Sequence, residues 1–576
     1  MDVFSATKPW LRRGVVAGAV ALAVLPTGFA AGSSGGGTQS PWQSTLTPTN
    51  TVVSSPTTGG GYYDPAPVEG HCSLGSFNAN HSESWLTVKP GTDQLLGSSK
   101  FFFSNLSTFY NFYLGSYNIN GSTGSASNNI VQGYDCVTAG TQAMPPSWTN
   151  TTDPNADFDT QGRVYQTMLP FNAFWTNLNP NGEITVSYSD DMGATWHIGN
   201  QGSALEQVPN ESSFSFNFED KQFIAVNHIP KTPYQDHVYA VWDTGNSAGN
   251  TVYLREATST DRGKTFLPAH TISLANVDQN RNAYPLPAVD ANGKNVYVVY
   301  NNIGRLNQSS DDFYVIQSTD DGATFGAPVL IATTNLNSNG AGSSGPPNTT
   351  FRNGIANGFA ASPTYPGHLY LAYNQWDGTQ YDVYFTQSTD FGAHWSTPAL
   401  VNDNRDAAGV PTDQFQPAVA AGSNGAVAVG FYDRRAACPS DKSIITQDVG
   451  RTNFCIDTTV QPYHDGGTGA TAVGPNIRAS KYTWDPQQPG LLVHSDGSTT
   501  DLQTLGGYGQ MACASHNDPC KTSFIGDYFS IAISGTNVYT FSVSTHYPSG
   551  VKADDKTTLY YQQQVLGTIS RASIGF

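Results

Sequence analysis

Two acidic pairs, Glu219-Asp220 and Asp527-Tyr528, stand at the starts of short alternating stretches. A carboxyl group placed there can give or take a proton as general acid or base. Arg281, Arg352 and the adjacent Arg434-Arg435 offer guanidinium forks, the geometry that holds a carboxylate through paired hydrogen bonds. Each residue also has a structural use: an Asp before a strand binds loop amides, and an Arg closes a loop ion pair. Other chemistries are poorly provided for. The twelve histidines show no His-Glu-x-x-His or paired-ligand spacing and the six cysteines no Cys-x-x-Cys, so neither metal nor cofactor is expected. Gly245-Asn-Ser247-Ala-Gly249 has the outline of a serine-hydrolase elbow, but it joins two strands where that elbow needs a strand and a helix. Asp403-Asn404-Arg405-Asp406 lacks a full calcium ligand set.

The elements that would position these groups are β-strands. Of 576 residues only 12% are charged, about half the usual share of roughly 25%, while aromatics also reach 12%. That balance excludes bulk disorder and long coiled coils. The net charge of -18, with no Lys/Arg stripe in the mature chain, argues against nucleic acid as a partner. A strand with an aromatic near its start recurs, as in His237-Val-Tyr-Ala-Val-Trp242, Asn295-Val-Tyr-Val-Val-Tyr300 and His368-Leu-Tyr-Leu-Ala-Tyr373. One strand precedes it and another follows, so each unit is a small sheet that must stack on its neighbours to bury both faces.

An octet, S-x-D-x-G-x-T-[WF], punctuates the units. It occurs with Ser189, Asp191, Gly193 and Trp196; with Ser259, Asp261, Gly263 and Phe266; with Ser318, Asp320, Gly322 and Phe325; and with Ser388, Asp390, Gly392 and Trp395. A decayed fifth copy lies around His464–Thr468. Ser and Asp can cap turn amides, Gly takes a positive φ and the aromatic plugs the base.

These octets resemble Asp boxes, the turns of the sialidase-like β-propellers, also called BNR repeats. The resemblance implies an all-β propeller of four-stranded blades over residues 71–566, with a tail at 567–576. Unit starts near residues 81, 153, 220, 282, 352, 413 and 524 predict seven blades, with six as the alternative. The box itself belongs to the blade periphery, so ligand chemistry is expected at the axial mouth. Alignment of the units places Glu83, Asp153, Glu219, Asp220, Arg281, Arg352, Asp413 and Asp527 there, with Arg434 and Arg435 able to reach the same surface.

Sialidases hold the sugar carboxylate with three arginines and use a Tyr nucleophile, an activating Glu and an Asp acid/base. Carried over, the resemblance implies Asp220 or Asp527 as acid/base, Tyr432 (or Tyr528) as nucleophile, and Arg281, Arg352 and Arg434 or Arg435 as anion holders. The chain departs from that pattern. No arginine lies between Arg13 and Arg163, and no Phe/Tyr-Arg-Ile-Pro motif occurs. The expected function is therefore a glycan-directed propeller, a sialidase-like glycoside hydrolase or a divergent relative, with a non-catalytic binding or scaffold propeller for a protein or polysaccharide as the alternative.

Residues 1–31 read as a secretory signal, with Lys8, Arg12 and Arg13 ahead of an apolar stretch too short to span a membrane. Residues 32–70, rich in Ser, Thr, Gly and Pro, read as a flexible linker, and 480–523 as an insertion. A secreted protein with no transmembrane segment in its mature chain accommodates Cys72, Cys136, Cys438, Cys455, Cys513 and Cys520 as disulfides. Pairing neighbours is one connectivity among several. Seven N-x-[ST] sequons matter only in a host that glycosylates them.

Overall fold

The computed structural model describes residues 41–54, 79–102, 112–130, 150–171, 182–207, 217–246, 251–273, 282–303, 310–338, 345–349, 351–353, 357–404, 410–439, 449–486, 524–547 and 562–576. Two short hairpins, 62–65 with 72–75 and 491–493 with 499–501, complete the set. Seven antiparallel sheets of four strands, two of them with a short fifth strand, form the blades of a propeller. The first strands of the blades are Ala79–Val88, Asn150–Phe158, Asn217–Val226, Asn282–Val289, Asn357–Ala361, Gln414–Ala421 and Ser530–Ile533. Each lies against the first strands of both neighbours, and the seventh lies against the first, so the ring closes on itself. The seven-blade expectation holds.

The hydrophobic core sits between blades. Tyr165, Leu169, Ile184 and Val186 of blade 2 pack on Ile224, Val226, Val238 and Trp242 of blade 3. Blades 4 and 5 meet through Tyr297, Val299, Phe313, Leu369 and Tyr373. The tyrosine near the start of the second strand in blades 2, 3, 4, 5 and 7 also has a polar role. Tyr239 of blade 3 donates to Asp321 of blade 4, Tyr370 of blade 5 to Asp465 of blade 6, and Tyr539 of blade 7 to Asp93 of blade 1. Tyr165 donates to Asp159, which also accepts from Arg262 of blade 3.

All four octets fold alike, between the third and fourth strands of blades 2 to 5. In the first, Ser189 Oγ accepts from the Gly193 amide at 2.8 Å, and the Asp191 carboxylate accepts from the Thr195 amide at 2.8 Å and hydroxyl at 2.6 Å. The same bonds recur around Asp261 and Asp320, and around Asp390 with His394 in place of Thr. The fourth and fifth positions are left-handed in each, as in Met192 (φ 62°) and Gly193 (φ 83°), and Gly is the residue that takes such a φ without a steric cost. In the decayed copy, Asp465 still accepts from the amides of Gly467 and Gly469.

Both ends of the chain correct the expected boundaries. Thr49–Val52, within the predicted flexible linker, is the outermost strand of blade 7, in register with the last strand from Thr49↔Thr568 to Val52↔Val565. Trp42 is buried, donates from Nε1 to Thr459 Oγ1 at 3.0 Å, and lies 5.2 Å and 5.0 Å from the Arg435 and Arg478 guanidiniums. The last strand, Gln563–Ser570, crosses the predicted start of the tail, and Arg571 and Ile574 beyond it are buried. Of the expected disulfides, Cys438–Cys455 is formed, closing the loop between the second and third strands of blade 6. Cys136, Cys513, Cys520 and the Cys72 side chain lie outside the described residues.

Candidate active site at the axial mouth

The pairing of first with second strand slips between Ser82 and Trp85, Thr152 and Asn155, Asp220 and Phe223, Ala283 and Leu286, and Phe415 and Ala418. Inside each slip one residue is left-handed: Glu83 (φ 53°), Asp153 (φ 59°), Lys221 (φ 47°), Tyr284 (φ 59°) and Gln416 (φ 48°). Each stands five residues before the end of its strand. A bulge re-aims a side chain, and a non-glycine residue held at positive φ costs about 1–3 kcal/mol, a cost that concentrates at functional sites. In blade 7, Gly526 (φ 108°) lets the chain pass so close to Glu83 that a Cβ would overlap the Glu83 amide nitrogen.

Three of the re-aimed residues meet in one buried cluster. Lys221 Nζ lies 2.8 Å from Asp153 Oδ2, 2.8 Å from Asp527 Oδ2 and 3.6 Å from Asp220 Oδ1. Arg352 grips both oxygens of Asp527, at 2.6 Å through Nε and 2.5 Å through Nη2. Lys100, from the second strand of blade 1, sits 2.9 Å from Glu83 Oε1. Thr152 Oγ1 lies 2.6 Å from Asp153 Oδ1 and 3.4 Å from Glu83 Oε2, joining the two acids. The Phe524 ring lies 4.3 Å from Lys100 Nζ and 5.1 Å from the Arg352 guanidinium. Asp220 and Arg352 are its most exposed charges, at 14% and 12% of their side chains.

Burial and charge split the acids into two kinds. Burial pushes Glu83 up to about 7, with Asp153 adding to it against Lys100 and Lys221. Burial pushes Glu219 up to about 9 and carries Asp243 well above its ordinary range, where Asp220 reinforces it. For Asp153 burial works the other way from the outcome: Lys221 and Lys100 outweigh it and hold the carboxyl well below its usual range. Asp527 is likewise held low by Arg352 and Lys221 despite burial. Neighbouring carboxyl groups with opposed protonation preferences are the arrangement from which acid/base pairs are made. Burial opposes the charge on Lys221, but Asp153, Asp220 and Asp527 raise it well above an ordinary lysine.

The cluster brings together Glu83, Asp153, Asp220, Asp527 and Arg352 of the residues singled out in the sequence, while Asp413 pairs with Arg434 elsewhere. Tyr432 is elsewhere: it is fully buried among Phe415, Trp484 and Phe529, its oxygen accepts from the Val543 amide, and burial raises its hydroxyl far above the ordinary tyrosine range. The expectation that Tyr432 serves as nucleophile gives way to a core role. Arg434 is also fully buried, 3.7 Å from Asp413 and between the Phe351 and Phe415 rings, and burial pulls it down to about 10. Arg435 binds Asp403 and Asp433. Arg352, Arg434 and Arg435 thus hold different carboxylates and do not share a ligand position; Arg281 lies outside the described residues. Tyr528 donates to the Pro154 carbonyl at 2.9 Å. Lys221, Lys100 and Asp243 were not anticipated. The signal for Lys221 was its place directly after Glu219-Asp220, in register with Glu83 and Asp153.

Along the axis, all seven first strands line a cavity of ≈ 320 Å³. Trp85, Phe223 and Tyr528 on its wall pack together with ring centroids 5.6 to 5.9 Å apart. Among the described residues, no group of His, Cys, Asp and Glu is arranged to hold a metal ion, and no helix is long and apolar enough to cross a membrane.

The fold and the charged mouth define a seven-bladed β-propeller with an axial cluster. No family model and no curated protein matches the sequence. Among solved structures, the chain is similar to a protein of unknown function from Dyadobacter fermentans, at 12% identity and a TM-score of 0.40 over 67% of this chain and 93% of that one. It is also similar to the Hadza microbial sialidase Hz136, at 14% identity and a TM-score of 0.38 over 61% and 63%. A third is the α-L-arabinanase of Penicillium chrysogenum, at 10% identity and a TM-score of 0.35 over 75% and 97%.

Proposed function

We propose that this chain is an exported, glycan-acting propeller, a divergent relative of the sialidases that hydrolyses glycosidic bonds at its axial mouth. One observation carries the reading. Strained bulges in separate blades deliver Glu83, Asp153 and Lys221 to a single cluster, where an acid that keeps its proton up to about pH 7 stands beside one held ionised. Two carboxyl groups so divided can protonate a leaving oxygen and assist attack on the sugar. Asp220, nearest the surface, is the group placed to meet the substrate, and Asp527 is held as a fixed anion by Arg352. Export is supported by the basic and apolar N-terminal residues and by the Cys438–Cys455 bridge, which suits an oxidising compartment.

The test is turnover of a panel of fluorogenic glycosides, sialoside included, by the purified mature chain from pH 4 to 8. Asp153→Asn should lower kcat at least about a hundredfold, as loss of an acid/base group does. Undiminished turnover in that variant would remove the assignment. A second reading, a non-catalytic glycan- or protein-binding propeller, is favoured by the close pairing and burial of the cluster. It predicts binding without turnover.

A further inference from the structure

We infer that the glycan taken at the axial mouth is a neutral one, so that the mouth selects against sialic and other acidic sugars; this rests on the glycan-directed reading above. An acidic sugar needs a cation with hydrogen bonds to give, ideally a guanidinium fork. The described cations of the mouth have theirs engaged by the protein. Both arms of Arg352 that face Asp527 are bonded to it, and its plane lies near the Phe524 ring. Lys221 is shared between Asp153 and Asp527 at 2.8 Å each, with Asp220 at 3.6 Å. Lys100 is bound to Glu83, reaches Thr152 Oγ1 at 3.3 Å and touches the same Phe524 ring.

To bind a sugar carboxylate, one of these cations would have to leave a protein carboxylate that is at most 3% exposed. Breaking a buried pair strands a charge, which is far more costly than the new contact is favourable. The incoming anion would also meet the Asp220 carboxyl at the surface. Selection against a charge by juxtaposed carboxyl groups is the repulsive half of specificity. A neutral sugar meets no such conflict. Its hydroxyls donate to carboxyl oxygens and accept from guanidinium and phenol groups, and Asp220, Arg352 and Tyr284 are the partly exposed groups there.

The discriminating experiment is an array of sialylated glycans and their desialylated counterparts, probed with the full mature chain and read for both binding and product release. Neutral glycans should be engaged at least about tenfold more strongly than their sialylated partners. A tenfold preference for the sialylated member would overturn the inference and leave the glycan reading standing. Absence of any signal on either set would instead take down the glycan reading. Asp527→Asn releases Arg352 and Lys221, and Glu83→Gln releases Lys100. Either folded variant should raise the sialylated-to-neutral ratio several-fold, and a ratio unmoved in both would count against the charge-matching argument.

Discussion

The octet turns and the axial bulges are two rings built from one device. Both recur blade by blade, and both hold residues at positive φ so that side chains meet backbone or charge partners. Yet the octets repeat nearly the same residues with the same bonds in four blades, whereas the bulges carry Glu83, Asp153, Lys221, Tyr284 and Gln416: two carboxyl groups, an amine, a phenol and an amide. Identical residues in a repeated geometry mark a part that every blade needs for itself. Different residues in a repeated geometry mark a place where the blades contribute jointly to one thing. The octet Asp satisfies its own turn; Lys221 satisfies acids from blades 2 and 7.

The largest expected effect comes from breaking the joint ring at its centre. Lys221→Met leaves Asp153 and Asp527 without their shared cation and should cost about 3–5 kcal/mol in denaturant unfolding. A loss below that of an octet variant would erase the contrast between the rings. Next comes pH. Glu83, Glu219 and Glu256, raised to about 7, 9 and 8 mainly by burial, contribute stability that is full below their unfolded values and is lost as pH rises through the folded ones. Asp153 and Asp527, held low, contribute stability above their unfolded values and lose it as pH falls further. The melting temperature should therefore peak near about pH 4.5–5 and decline toward pH 9; a rise between pH 5 and 9 would contradict this. The smallest effect belongs to the periphery. Asp320→Ala removes the acceptor for the Thr324 amide and hydroxyl and should cost about 1–2 kcal/mol, with glycan engagement unchanged. Altered engagement would mean the octets are not a private scaffold.

The octets were legible because their chemistry is local: donor and acceptor lie at most four residues apart, so residue spacing and bond are the same fact. Blade number followed from counting them and the aromatic strands. The axial residues were legible by place more than by role. Unit alignment put Glu83 and Asp153 at the mouth, but which acid keeps its proton depends on cations from other blades. Tyr432 and Arg434 misled because Phe431-Tyr432-Asp433-Arg434-Arg435 looks polar and exposed, while Arg434 in fact lies between two phenyl rings. The Thr49–Val52 strand was hidden in low-complexity sequence, and its partner lies at the other end of the chain.

That closure sets an order of events for folding. Thr49 cannot find Thr568 until nearly the whole chain exists, so the last blade is completed by the contact with the greatest sequence separation. Loop-closure entropy and high contact order both make such a step slow. Until it happens, the last strand, Gln563–Ser570, presents an unpaired edge, the form in which sheets join other chains. A chain cut just after Val52 would keep every residue of the mouth and lose the fastening of the ring. Its failure should show first as aggregation during refolding, before any loss of affinity in the molecules that succeed.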